Sequence, residues 1–221
     1  MTMIHVIGDI LDRPTLEALR EAAIGLTFED GKVSAGRYAA TTKTNLQARP
    51  GPDLDAILKT AEAKILQHAL FRSIARPKGF ARLLLSRYEP GMGYGLHVDD
   101  AVMNGQRTDL SFTLPLVGTE TYDGGALIFD EPLEERALRP EAGDMVLYPT
   151  GVLHRVEPVT RGMRLAIVGW VTSHVRDPMA RDVLHDLDVA AQAMFESQGN
   201  SDGFNRMQKA KTNLYRMWAD G

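Results

Sequence analysis

Behind the triplet Asp12-Arg13-Pro14, apolar residues recur at spacings of three and four: Leu16, Leu19, Ala22, Ala23 and Leu26. That period, opened by a capping aspartate and a first-turn proline, predicts an amphipathic helix. From Gly31 to Pro52 the chain is polar, rich in Gly, Thr and Arg, and without clean periodicity, which predicts short strands or an ordered loop. Asp53 starts a second helical pattern with Leu54, Ile57, Leu58, Ala61, Ile65 and Leu70 on one face, and Pro77 and Gly79 mark the end of that unit.

Between Phe80 and Thr172 the period shortens to that of strands. Runs at 80–89, 108–117, 126–129, 145–148, 152–159 and 163–172 are separated by Pro90-Gly91, Asp123-Gly124-Gly125, Gly143-Asp144, Pro149-Thr150-Gly151 and Arg161-Gly162. Each of these turns contains a residue that tolerates positive φ or sets a bend. Past Arg176 the helical period returns, with Asp177-Pro178 as its start and Val183, Leu184, Leu187, Ala190 and Met194 as its apolar face. A polar break at 197–203 precedes a last helix carrying Phe204, Met207, Leu214, Met217 and Trp218. Helices, then a β core, then helices, with no repeat and no linker-like tract, predict one α+β domain over 1–221 whose strands form an antiparallel sandwich or barrel.

Composition narrows the chemistry more than the fold. With 25 Lys plus Arg against 29 Asp plus Glu the net charge is −4, which offers no broad attraction to nucleic acid or anionic lipid. No run of 18 apolar residues exists, and the N-terminus has neither a basic nor a long apolar leader segment, so the expected location is the cytoplasm. The absence of cysteine removes disulfides, thiolate zinc sites, iron–sulfur clusters and cysteine nucleophiles. Any metal must then be held by His, Asp or Glu, and there are only six His.

Of these, His5, His68, His174 and His185 have no partner at ligand spacing and read as solvated or hydrogen-bonded side chains. His97 is followed at i+2 by Asp99, and on an extended strand the two project to the same side. His154, in another strand-like run, is a third donor that a barrel could bring opposite. Two His and a carboxylate on one face suit non-haem Fe(II) and leave coordination positions open; a bare His-x-Asp also occurs as a structural pair. The approach segment, from Arg87 to His97, holds Gly91, Gly93 and Gly95, which permit close backbone approach to a pocket or make an ordinary loop. Arg164, ten residues after His154 in an apolar strand, is costly to bury unless its fork meets a carboxylate, either from within the chain or from a bound dicarboxylic acid. Arg161, in the preceding turn, is expected to be exposed.

Taken together, these residues resemble the Fe(II)- and 2-oxoglutarate-dependent dioxygenases. Arg87-Tyr-Glu-Pro-Gly-Met, Gly95-Leu-His-Val-Asp-Asp, Arg107-Thr-Asp-Leu-Ser, Tyr122-Asp-Gly-Gly-Ala-Leu, Gly143-Asp-Met-Val-Leu-Tyr-Pro and Leu153-His-Arg-Val-Glu-Pro-Val-Thr-Arg-Gly resemble the bacterial PKHD-type (prolyl/lysyl-hydroxylase-domain, PiuC-like) branch, associated with iron uptake. The resemblance implies a double-stranded β-helix (jelly-roll) core over about 78–174, flanked by N-terminal helices and by C-terminal helices at about 177–219. It also implies that His97, Asp99 and His154 hold Fe(II), that Arg164 pairs with the C5 carboxylate of 2-oxoglutarate, and that Tyr88 is a second anchor. No further catalytic side chain is implied. The expected reaction couples decarboxylation of 2-oxoglutarate by O2, giving succinate and CO2, to hydroxylation of a peptidyl Pro or Lys or a siderophore-like small molecule, with L-ascorbate as reductant. Asp100 and Asp109 are candidates for orienting His97 or a loop, and equally for turn and surface positions. A homo-oligomer, and C-terminal helices acting as a lid or a subunit contact, are compatible with the pattern. The sequence departs from the branch at Thr42-Lys-Thr-Asn45 and in a shortened stretch over 129–138, both expected near a pocket rim, where substrate identity transfers least. The competing classes are a non-catalytic iron/2-oxoglutarate sensor and a cupin-like or zinc hydrolase; the latter gives Arg164 no role.

Overall fold

In the computed structural model the described residues are 4–34, 36 and 39–220. Residues 1–3, part of the segment read for a leader, and 35, 37 and 38, inside the stretch expected as short strands or a loop, lie outside them. In chain order the strands are β1 (His5–Ile7), β2 (Phe28–Asp30), β3 (Leu46–Ala48), β4 (Pro77–Tyr88), β5 (Tyr94–His97), β6 (Val102–Met103), β7 (Gln106–Arg107), β8 (Leu110–Pro115), β9 (Asp123–Gly124), β10 (Leu127–Asp130), β11 (Glu135–Leu138), β12 (Met145–Pro149), β13 (His154–Val156), β14 (Val159–Arg161) and β15 (Arg164–Ser173). Helices α1 (Arg13–Ile24), α2 (Pro52–Gln67) and α3 (Ala69–Ala75) precede the main strands, and α4 (Pro178–Gln198) and α5 (Asp202–Trp218) follow them.

A seven-stranded sheet in the order β1-β12-β8-β15-β4-β3-β2 and a four-stranded sheet in the order β11-β10-β13-β5 form the jelly-roll core of this α+β fold; β14-β9 and β6-β7 are separate two-stranded ribbons. Every pairing is antiparallel, so alternate residues of each strand face opposite ways. One face of the large sheet packs on the N-terminal helices. There Leu85, Phe112, Leu114, Leu147, Leu165 and Ile167 meet Leu19 of α1, Leu54, Ile57, Ala61 and Ile65 of α2, and Phe71 and Ile74 of α3. Gly169 belongs to this face, because a Cβ there would lie 2.5 Å from both Leu83 and the Phe112 ring. The other face turns inward, where Tyr88, Val146 and Tyr148 pack with Leu127, Phe129 and Val156 of the small sheet.

The helix starts follow the expected chemistry: Asp12 accepts from Thr15 N at 2.8 Å and Asp177 from Met179 N at 2.8 Å. Several boundaries differ from the sequence reading. The second helix begins at Pro52, one residue before Asp53, and stops at Gln67 instead of reaching Leu70, because His68 leaves the helical conformation and caps α3. β4 begins at Pro77, where the helical unit was expected to end. The run over 152–159 is two strands, β13 and β14, split around Pro158. Strands β1, β2, β6, β7, β9 and β11 were not anticipated, and β9 falls where a turn was expected. The C-terminal pair packs through Leu214, Tyr215 and Trp218 of α5 against Val175, Ala180 and Leu184. No helix among the described residues is long and apolar enough to cross a membrane.

Candidate metal centre and its cavity

The glycine-rich approach forms β5. A Cβ at Gly95 would lie 2.7 Å from Thr42 Cβ, so glycine there lets the 42–44 segment lie directly against β5. Gly95 N donates to Thr42 O at 3.0 Å, and Lys43 bridges to Tyr94. On the other side β13 pairs with β5 and sets His154 opposite His97, with ring centroids 4.3 Å apart. Asp99 lies two residues beyond His97, past the end of β5, and not on the strand as the sequence suggested. Its carboxylate nevertheless reaches the same point. His97 Nε2 is 3.7 Å from Asp99 Oδ1, and His154 Nε2 is 3.8 Å from Asp99 Oδ2.

These separations are too long for hydrogen bonds. The ligand atoms of all three residues lie within 4.8 Å of one another, close enough to share one ion. Tautomer chemistry supports this. Each Nδ1 faces a backbone carbonyl, Gly95 O at 2.8 Å and Val152 O at 2.9 Å, which only accepts, so both Nδ1 carry the proton and both Nε2 present lone pairs to the shared point. Burial, then the neighbouring His154, push the His97 imidazole down to about 4, which keeps it neutral and available as a ligand. Ser111 Oγ donates to Asp99 Oδ2 at 2.7 Å and orients the carboxylate. Tyr94 stacks on His97 at 3.6 Å, and the buried Tyr148 hydroxyl lies 3.3 Å from His154 Nε2. Burial raises the Tyr148 pKa, so that group stays a neutral phenol.

The three residues border an open cavity, and Arg164 lines the same cavity. Arg164 is 3% exposed and pairs in register with Tyr88, its guanidinium 5.1 Å from the Tyr88 ring centroid. Among the described residues no carboxylate lies within ion-pair distance of it, which removes the internal-pair alternative. Tyr88 is itself buried.

The remaining candidates separate cleanly. Asp100 lines the cavity. Asp109 accepts from Arg107 Nε at 2.7 Å and from Ser173 N at 2.8 Å, so it ties the end of β15 to β7 and does not touch His97. Arg161 is exposed and pairs with Asp123. His68 caps α3, His185 shares a hydrogen bond with Ser73 at 2.8 Å, and neither these nor His5 and His174 join a metal-ligating group among the described residues. Ser111, Tyr94, Tyr148 and Arg82 also border the cavity and escaped the sequence reading, whereas Lys43 and Asn45, which line it too, fall in the 42–45 stretch that the sequence reading placed near a pocket rim. The one local signal was Ser111 and Thr113 alternating with Leu110, Phe112 and Leu114 in a strand that is otherwise apolar.

Comparison with known proteins agrees with this geometry. The 2OG-Fe(II) oxygenase superfamily pattern matches residues 83–172. A PKHD-type hydroxylase of Maricaulis maris is 46% identical over 87% of this chain and 88% of its own length. Another, from Gloeothece citriformis, is 40% identical over 99% of this chain and 100% of its own. Among solved structures, a Pseudomonas putida prolyl-4-hydroxylase aligns with TM-score 0.53 at 24% identity, covering 78% of this chain and 94% of that one. HygX from Streptomyces hygroscopicus, with nickel and 2-oxoglutarate bound, aligns with TM-score 0.59 at 12% identity, covering 79% and 84%. At such identities the two structures speak to the fold alone.

Proposed function

The chain belongs to the PKHD-type hydroxylases of the 2OG-Fe(II) oxygenase superfamily and is therefore a dioxygenase that uses Fe(II), 2-oxoglutarate and O2; on that premise we propose that His97, Asp99 and His154 hold the iron and Arg164 the cosubstrate. The donor set fits the ion. Two neutral imidazole nitrogens and one carboxylate converge from one side, and the cavity leaves the other side open. When bound, Fe(II) supplies the redox chemistry that converts 2-oxoglutarate and O2 to succinate and CO2 while one oxygen atom enters the substrate.

The chain's own residues supply binding, orientation and shelter. Arg164 donates its fork to the C5 carboxylate, the counter-charge that no described residue provides. Tyr88 supports that contact from the neighbouring strand, its ring against the guanidinium. Ser111 holds Asp99, and the two Nδ1–carbonyl contacts hold the imidazoles. Val168, Leu84 and Leu127 make the apolar wall that limits water around the reacting groups. L-Ascorbate serves as reductant. The substrate is a peptidyl Pro or Lys or a siderophore-like small molecule, which connects the activity with iron uptake.

The observation that carries this reading is the convergence of the three donors and an uncompensated buried arginine in one cavity. Purified protein with Fe(II), ascorbate and 2-oxoglutarate should form succinate slowly without added substrate, and Asp99→Ala should not. Equal inertness of the two proteins across a broad substrate screen would leave a sensor, not an enzyme. Bound zinc without affinity for 2-oxoglutarate would favour a hydrolase.

A further inference from the structure

Iron and cosubstrate leave one buried hydroxyl beside the metal group unused, that of Tyr148. This residue stands on β12 in register with Ser111 of β8, which holds Asp99. At 4% exposure its ring is wedged between the two sheets, edge-to-face with Phe129 of β10 and with His154 of β13, each at 4.9 Å between centroids. Those contacts fix the ring. The hydroxyl can therefore change partner by turning about its C–O bond, but it cannot leave the metal group.

His154 Nδ1 donates to Val152 O, so Nε2 is the acceptor and the Tyr148 phenol the donor, at 3.3 Å. That separation is long for a hydroxyl donor, and the bond is weak. Nε2 has a single lone pair in the ring plane, and a metal held by His154 takes it. The phenol hydrogen then needs another acceptor, because an unpaired donor is costly where water does not reach. The chain offers none that is free. The Thr113 hydroxyl reaches the phenol oxygen as a donor and does not use the phenol's own hydrogen. Asp99 makes no hydrogen bond with Tyr148 among the described residues, and its Oδ2 accepts from Ser111 at 2.7 Å. What remains is the open side of the metal group, which Tyr148 borders. On a divalent ion with bonds of about 2.1 Å, an oxygen at right angles to His154 stands roughly 3 Å from Nε2. The phenol oxygen lies at nearly that distance from the same nitrogen.

We propose that the Tyr148 hydroxyl, its ring pinned between the sheets, donates to the metal-bound carboxylate of 2-oxoglutarate, at the opposite end of the cosubstrate from Arg164. The inference rests on the hydroxylase reading above and adds a residue to it. Arg164 holds the far carboxylate by charge, and Tyr148 fixes the near one by a neutral donor.

Anaerobic absorption titrations of 2-oxoglutarate into wild type and Tyr148→Phe, each loaded with Fe(II), test it. A 2-oxo acid chelated to Fe(II) gives a visible charge-transfer band whose energy follows the hydrogen bonds on its carboxylate, so the contact is read without turnover. Tyr148→Phe should move that band to shorter wavelength and weaken 2-oxoglutarate by about tenfold or more, the range of a hydrogen bond to a charged group. Fe(II) affinity without cosubstrate should stay within about twofold of wild type. Should the Phe variant melt early, 3-fluorotyrosine placed at position 148, a stronger donor of nearly the same shape, should move the band to longer wavelength. An unchanged band overturns the proposal, whatever the affinity does. A loss of 2-oxoglutarate affinity that is equal with and without Fe(II) overturns it as damage to packing. Weaker Fe(II) binding in Tyr148→Phe without cosubstrate overturns it by assigning the hydroxyl to the metal ligands, and so does a phenolate-to-iron(III) band in oxidised wild type that the variant lacks. Wild type with Fe(II) that shows neither band nor 2-oxoglutarate binding sinks the hydroxylase reading itself, whereas a variant that matches a competent wild type sinks only the role of Tyr148.

Discussion

The two faces of the seven-stranded sheet are made by alternate residues of the same strands, yet they solve opposite problems. Toward the helices β8 presents Phe112 and Leu114, β15 presents Leu165 and Ile167, and β12 presents Leu147, all buried in one apolar cluster. Toward the cavity the same strands present Ser111, Thr113, Arg164 and Tyr148, with Arg82 and Tyr88 on β4. The outer face is filled and satisfied by the chain itself. The inner face keeps donors and charges that, on the proposed reading, are there for the cosubstrate and for holding the metal ligands, an arrangement that sacrifices some stability of the unliganded protein for binding. Stability and chemistry are thus separated by one residue of register, and substitutions on neighbouring positions should divide in kind.

The sharpest division is expected between positions 112 and 99. Phe112→Ala empties a site in contact with the helical layer and should cost about 3–5 kcal/mol in urea unfolding, while the folded fraction keeps its 2-oxoglutarate affinity. Asp99→Ala should do the reverse: iron affinity falls by more than about a hundredfold, measured by competition with a chelator, and the metal-free melting temperature is unchanged or higher. A large loss of stability in Asp99→Ala would erase the contrast. Arg164→Leu removes a charge-assisted contact and should weaken 2-oxoglutarate binding by roughly 10- to 100-fold, without lowering the melting temperature of unliganded protein, because no described residue loses an ion pair. Ser111→Ala, which frees the Asp99 carboxylate to rotate, should cost about tenfold in iron affinity. Arg161→Ala, on the exposed pair with Asp123 and away from both faces, should leave turnover and melting temperature unchanged within error.

The sequence revealed part of the cavity lining better than the rest. His97, Asp99, His154 and Arg164 stood out because each is chemically out of place locally: a His-x-Asp after three glycines, a His in a short strand, an arginine in an apolar run. Arg82 and Ser111 did not stand out, since a polar residue in an alternating strand ordinarily points to water; only the small sheet laid over them makes that side an interior. Lys43 was legible only as part of a stretch near a pocket rim; its contact with β5 joins residues about fifty apart, which local pattern cannot show. The break at His68 was hidden because Ile65, Leu66, Leu70, Phe71 and Ile74 continue the apolar period straight through it. β11 was hidden because an edge strand reading Glu-Arg-Ala-Leu carries almost no strand signal.

The central claim is that the cavity between the two sheets holds iron through His97, Asp99 and His154 on the side of the small sheet and, by Arg164 of the large sheet, the cosubstrate. An anaerobic titration of 2-oxoglutarate into wild type and Arg164→Leu, each with and without Fe(II), tests it most directly. The account predicts tight binding only for wild type with Fe(II), and weakening by at least about tenfold when either Fe(II) or the Arg164 guanidinium is absent. Equal affinity in all four titrations would contradict it.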